Sequence, residues 1–269
     1  MSSEDDLHLL AYACLQQSDV ALKVADTFRL FELEAQGRVT GKNCTEVRST
    51  PEPGRPDKPV LIHQHDVPRR DLGNEQGRAA FIHAICHIEF NAINLALDAV
   101  YRFRNMPDLY YKDWLQVAKE EAQHFQLLSN RLNEMGYAYG DFPAHNGLWD
   151  MACRTEHDIL HRMALVPRVL EARGLDVTPG IIHRLQQLQD LKTVEILELI
   201  LREEIGHVKI GSRWYMVLCE QRELEPIATF RLLVREYYKS PLREPLNHQA
   251  RIEAGFTEQE IWELTQPFR

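Results

Sequence analysis

The chain has 269 residues, enough to bury a sizeable core as one large domain or two small ones. Its 40 acidic against 31 basic residues give a formal charge of -9, which argues against the basic surface that non-specific nucleic-acid or anionic-membrane binding needs. The opening MSSEDDLHLL is acidic where a secretory leader is basic, and no apolar run approaches the roughly 18 residues that cross a bilayer, so a cytoplasmic protein is expected.

The word PRR at 68–70 leaves room for a local basic patch only. The cysteines, Cys14, Cys44, Cys86, Cys153 and Cys219, are odd in number and form no C-x-x-C pair. Reduced, mostly buried thiols are expected rather than a zinc ribbon or a disulfide framework.

In chain order, Leu7, Leu10, Ala11, Cys14, Leu15, Val24, Phe28 and Phe31 follow helical spacing and predict one long helix over 4–36, stopped by Gly37. Residues 37–73 carry Pro51, Pro53, Pro56, Pro59 and Pro68, which forbid regular structure over most of a long covering loop. A helix over 74–104 places Ile82, Ile85, Glu89, Ala92, Ala96 and Phe103 on one stripe. The next, over 108–135, does the same with Trp114, Val117, Glu121, His124, Leu128 and Met135. Both stripes are apolar except for those acids and the histidine, which therefore face inward.

A third helix is expected over 148–173, interrupted at Gly174 and Pro179, with a short piece PGIIHRLQQLQ behind it. The fourth runs over 190–220 with Asp190 as N-cap. A further helix from 225, a Pro-broken loop and a last helix capped by Thr257 complete an all-α chain. The expected organisation is an N-terminal helix and loop over 1–73, a bundle over 74–221 and a helical extension over 222–269, packed as one domain.

One six-residue word is written twice, as KEEAQH at 119–124 and REEIGH at 202–207. On a helix, Glu121 and His124 project from one face one turn apart, as do Glu204 and His207. About one E-x-x-H arises by chance in a chain of this composition, so the upstream acids matter more than the words. Glu89 precedes Glu121 by 32 positions, with the midpoint at Asn105 in the turn RNMPD, so in an antiparallel hairpin it faces Glu121 and His124. Glu171 precedes Glu204 by 33.

Glu171 serves only if 179–188 prolongs the third helix and the turn falls near Gln189 and Asp190; a hairpin turning at Gly174 brings Glu156 or Asp150 level with Glu204 instead. Pro167, one turn before Glu171, removes a helix hydrogen bond and allows a kink that aims the carboxylate. His83 and His87 flank the Glu89 stripe, and His63, His65 and His145 read as loop histidines.

One Glu plus one E-x-x-H on each of two hairpins resembles the ferritin-like carboxylate di-metal superfamily. The stretches YGDFPAHNGLW, RMALVPRVLEARGLDVTP and EEIGHVKIG further resemble a bacterial ferritin-like family of uncharacterised function. The resemblance implies an antiparallel four-helix bundle with Glu89, Glu121, His124, Glu171, Glu204 and His207 as ligands of two metal ions. It makes Glu121 and Glu204 the bridging pair, and has Glu120 and Glu203 accept the free ring N–H of a ligand histidine from the opposing half.

Four carboxylates and two neutral imidazoles neutralise two divalent ions and suit iron, or manganese in one or both positions, better than copper or zinc. The implied activity is that of an O2-dependent oxygenase or oxidase, with a small-molecule substrate, O2 and an external electron donor as partners and a homodimer as one assembly. Within the superfamily, a tRNA-modifying hydroxylase, an iron-storage protein and a peroxide scavenger are the rival readings. A purely structural helical protein is the non-metal alternative.

Overall fold

A computed structural model of the chain describes residues 6–41, 46–68, 70–239 and 241–267. Cys44, Arg69 of the basic word and the start of the first expected helix lie outside the described residues. The chain divides into two compact units, Met1–Cys153 and Arg154–Arg269. Among the described residues it is all-helical, with two isolated β-bridges, Asp6 to Thr40 and Leu61 to Ala144.

The first unit opens with two helices where one was expected, α1 (Leu7–Gln16) and α2 (Val20–Ala35). Gln17 and Asp19 adopt extended backbone, and the Asp19 carboxylate accepts from the Leu22 N–H. Asp is worth more as an N-cap than inside a helix, which is why the periodicity resets there. Lys23 bridges the break: its buried ammonium donates to the Leu15 and Gly54 carbonyls at 3.0 and 2.7 Å and to the Asn94 side chain. Burial pushes this lysine down to about 7. Gly37, at φ +64, ends α2 as expected.

The Pro-rich segment is tied to this unit by main-chain polar groups. Gly54 N–H donates to Leu15 O, Arg48 N–H to the Tyr101 hydroxyl, and Pro51 O accepts from Trp149 Nε1. A side chain at Gly54 would meet the Gln16 backbone at 2.2 Å, so only glycine admits that approach.

Helix α3 (Glu75–Arg102), N-capped by Asn74, and α4 (Asp108–Glu134) form a long antiparallel hairpin against which α1 and α2 pack. Its turn holds Asn105 at φ +61. Contrary to the expectation from composition, α3 is long and apolar enough to cross a membrane, but 72% of its most apolar window is buried in the folded chain. Helix α5 (Gly147–Arg154) closes this unit.

The second unit begins at a turn over 155–157 and continues as α6 (Ile159–Leu165), a π-helical stretch Val166–Glu171 and α7 (Ala172–Gln187). The expected break at Gly174 is absent, because nothing crowds that glycine and α7 runs straight through it. Pro179 does not stop the helix either. It cannot serve the carbonyl of Leu175, four residues back, and the Asn247 side chain donates to that oxygen at 3.1 Å instead.

The irregularity falls at Pro167, where a kink was expected, and there the missing N–H widens the helix until Ala172 N–H reaches Pro167 O. Helix α8 (Leu191–Gln221), capped by Asp190, returns along α7 after a turn with Gln189 at φ +59. A Cβ on Gly211 of α8 would come within 2.3 Å of the Pro167 ring, so glycine there lets α8 approach the widened turn.

The C-terminal helices α9 (Pro226–Tyr238), α10 (His248–Glu253) and α11 (Glu258–Thr265) pack on this unit, with Thr257 and Glu260 forming the capping box of α11. Two buried arginines join them to the helix that bears Glu171. Arg251 grips Asp176 with two bonds of 2.9 and 2.7 Å. Arg168 pairs with Glu260 at 2.6 Å inside a cage of Tyr215, Phe230 and Phe256 rings.

Candidate metal centre

In the first unit the α3–α4 hairpin turns at Asn105, so Glu89 and Glu121, each sixteen residues from it, fall at one level. His124 Nδ1 lies 3.2 Å from Glu89 Oε2 and 3.4 Å from Glu121 Oε2. All three side chains are buried, at 3%, 0% and 0% exposure. Each offers a ligand atom, and those atoms lie within 4.8 Å of one another, so the group can bind a metal ion.

The electrostatics of the cluster favour a positive charge between its carboxylates. Burial and the neighbouring Glu121 push Glu89 well above the ordinary carboxylate range. Burial alone lowers the His124 imidazole, but the hydrogen bonds and charges of Glu121 and Glu89 outweigh it and raise it to about 11. Two carboxylates converging in a buried place are costly without a positive charge between them, of order roughly 3–5 kcal/mol when a buried partner is lost. A divalent ion supplies more charge than a proton. Oxygen ligands at about 2.1 Å in octahedral geometry lie about 3 Å apart, close to the separations found here.

In the second unit, His207 Nδ1 lies 3.6 Å from Glu204 Oε1 on α8, with His207 buried and the Glu204 side chain 12% exposed. Glu171 is the last residue of the π stretch, on the strand of helix that pairs with α8. Glu156 sits in the turn over 155–157, off any helix, and Asp150 is exposed on α5 of the other unit, bonded to Asn146. The turn thus falls at Gln189 and not at Gly174. Glu120, half-buried, accepts from Gln116 one turn back, and Glu203 is half-buried on α8.

His83 and His87 are buried beside the Glu89 stripe, as expected of flanking residues. His83 Nε2 accepts from Gly140 N–H at 2.9 Å, and His87 Nδ1 lies 2.9 Å from the Tyr139 hydroxyl, with its Nε2 near Asn91 and the His145 carbonyl. Burial pushes both imidazoles down to about 4. Tyr139 packs on Phe90 and Phe125, which follow Glu89 and His124 directly in sequence.

Sequence reasoning did not single out Tyr139, Lys23 or Arg168, whose partners are distant in the chain, or Asn91, which bonds His87 one turn back. A lysine on an otherwise apolar helical face was the one readable signal. His63 and His65 are exposed, whereas His145 is half-buried and lines a cavity rather than lying on the surface. Cys14, Cys86, Cys153 and Cys219 are free thiols, all but Cys153 buried.

Comparison with known proteins adds kinship without an activity. An uncharacterised protein of Haemophilus influenzae is 51% identical over 213 residues, covering 77% of this chain and 74% of that protein. No solved structure matches the chain. The profile of the family described as protein of unknown function (DUF455) matches residues 16–262, from the end of α1 to the last turns of α11, and the chain belongs to that family.

Proposed function

We propose that this protein is an O2-dependent di-iron, or manganese/iron, carboxylate oxidoreductase built on a ferritin-like four-helix bundle, with Glu89, Glu121, His124, Glu171, Glu204 and His207 as the ligands of two ions. The observation that carries the reading is the buried convergence of Glu89, Glu121 and His124 on one hairpin, together with the recurrence of the same residue types at nearly the same interval on a second. When bound, such a pair of ions supplies the two electrons that reduce O2 and the oxidising power that acts on a substrate.

The chain's own residues have separable tasks. Glu121 and Glu204, the glutamates of the repeated words, would hold both ions, and Glu89 and Glu171 one ion each. His124 donates a neutral ring nitrogen only after releasing its proton, so metal uptake by the first half-site expels protons. Burial of Glu89, Glu121 and His124 keeps bulk water from the first half-site.

Anaerobic titration with Fe(II) tests the reading. Saturation is expected near about two equivalents per chain, followed on exposure to O2 by a short burst that stalls until a reductant is added. Glu204→Ala removes the dinuclear centre while leaving the helical content intact. Continued oxidation with mineral forming in a large hollow assembly promotes storage instead, and metal content far below one ion per chain favours a purely structural protein.

A further inference from the structure

A cavity of about 480 Å³ opens in the first unit, lined by residues from 64–68 and 70–72, by Phe81 of α3 and by His145. Its apolar wall is built by Val67, Pro68, Leu72 and Phe81, and its polar groups are Arg70, His145 and Gln64. The volume lies within the range of small-molecule sites, and the lining is mixed, with polar and apolar surface in similar measure. Phe81 stands eight residues before Glu89 on α3, about 12 Å along the helix axis, so the cavity is separate from the metal ligands.

Arg70 is the unusual member. It is half-buried, and burial pushes its guanidinium down from the ordinary value. Among the described residues no carboxylate pairs with it. The titratable groups that feel it are His83 and His145, both pushed down by its charge after burial itself. Its chain neighbour Asp71 is exposed and accepts from Gly73 N–H and the Asn74 side chain instead, and the exposed Asp141 and Asp150 act on those histidines. A cation taken partly out of water without a counter-charge is costly, and the missing charge is one that a ligand can bring.

His145 adds a donor. Its Nδ1 accepts from Gly147 N–H at 3.2 Å, which assigns the ring proton to Nε2. Among the described residues the polar groups of the lining therefore carry one formal positive charge, on Arg70, and neutral donors. That balance matches a monoanion better than a phosphate dianion, and the planar fork of arginine matches the two oxygens of a carboxylate.

We propose that this cavity binds a small organic monocarboxylate, its carboxylate held by Arg70 with His145 and its apolar body seated against Phe81 and Leu72. The site goes beyond the di-metal reading and does not depend on it, because no ligand of that centre lines the cavity.

Benzoate is a suitable probe, added to the full-length metal-free protein and followed by calorimetry and ligand-observed NMR. Saturable binding is expected below about 10 mM. Arg70→Gln weakens it at least about tenfold, a loss of about 1.4 kcal/mol, and Arg70→Lys restores part of it. Arg235→Gln, which makes the same change of net charge on an exposed arginine of α9 in the other unit, leaves it unchanged. Benzamide, neutral and of the same shape, and inorganic phosphate both bind more weakly than benzoate.

The proposal is overturned by any of four results: no saturable benzoate binding, equal affinity in the wild type and Arg70→Gln, benzamide binding as tightly as benzoate, or phosphate binding more tightly. Circular dichroism and the thermal midpoint of each variant confirm that lost binding is not lost folding. A failure here leaves the iron titration untouched.

Discussion

The α3–α4 and α7–α8 hairpins carry the same chemical word and reach it by different local structure. In the first, both helices are regular, the turn centres on Asn105, and a single apolar stripe delivers Glu89 to Glu121 and His124. In the second, the leading helix begins as α6, widens at Pro167 and carries two helix breakers, Gly174 and Pro179, before its turn at Gln189. The first hairpin is held by its own core and by α1 and α2. The second depends on distant side chains, with Asn247 serving the carbonyl that Pro179 leaves, Arg251 gripping Asp176, and Arg168 caged by three rings. An acid at the right sequence interval therefore needs either a regular helix or a tertiary scaffold to make an irregular one hold.

The largest test of this contrast lies in the pH dependence of the metal-free protein. Glu89 and His124 both bind protons more tightly in the folded chain than in the unfolded one, the first from its ordinary 4.5 upward and the second between 6.5 and about 11. Where the native state holds more protons, stability falls as pH rises, by about 1.4 kcal/mol per pH unit for each excess proton. The contribution of His124 is complete below pH 6.5 and is lost as pH approaches 11. Urea unfolding at pH 6 and pH 9 is expected to show a loss of about 3 kcal/mol. Glu89→Gln flattens that slope, and an unchanged slope in the variant would show that the first hairpin is not held by this proton network.

A smaller effect sharpens the role of the widened turn. Gly211→Val places side-chain atoms where the Pro167 ring lies, and overpacking of this kind costs about 1–3 kcal/mol. Thermal unfolding reads the loss directly, and Pro167→Ala in the same chain should relieve part of it. Equal stability of the single variant and the wild type would mean that α8 does not need so close an approach.

The smallest expected effect ranks two acids. Glu171→Ala weakens metal binding by about tenfold, about 1.4 kcal/mol, whereas Glu156→Ala leaves it nearly unchanged because Glu156 lies in a turn outside the hairpin. Competition with a chromophoric chelator measures both. The reverse order breaks the parallel between the hairpins.

Much of the first hairpin was legible from residue order alone. Periodicity located α3 and α4, the interval from Glu89 to Glu121 located the turn, and inward-facing acids on an apolar stripe marked the cluster, since each signal is local or runs between two adjacent helices. The Asp190 and Thr257 caps and the Gly37 stop were readable for the same reason, because caps act within a turn of themselves. The residue types of both repeated words and the all-α class were likewise written into the chain.

Contacts between residues far apart decided the rest. Gly174 and Pro179 read as helix breakers because propensity weighs about 1 kcal/mol for glycine and about 3 for proline. Asn247, 72 residues beyond the Leu175 carbonyl it serves, reverses that outcome for the proline. The split of the N-terminal helix turned on Asp19 preferring to cap, and on Lys23 finding acceptors in Leu15, Gly54 and Asn94. Arg70 read as part of a basic word, and folding set it against Phe81 and His145 in a cavity. Helical spacing and capping are short-range physics that a sequence carries openly. Whether a buried polar group or a broken helix is tolerated depends on partners that only the tertiary structure brings within hydrogen-bonding distance.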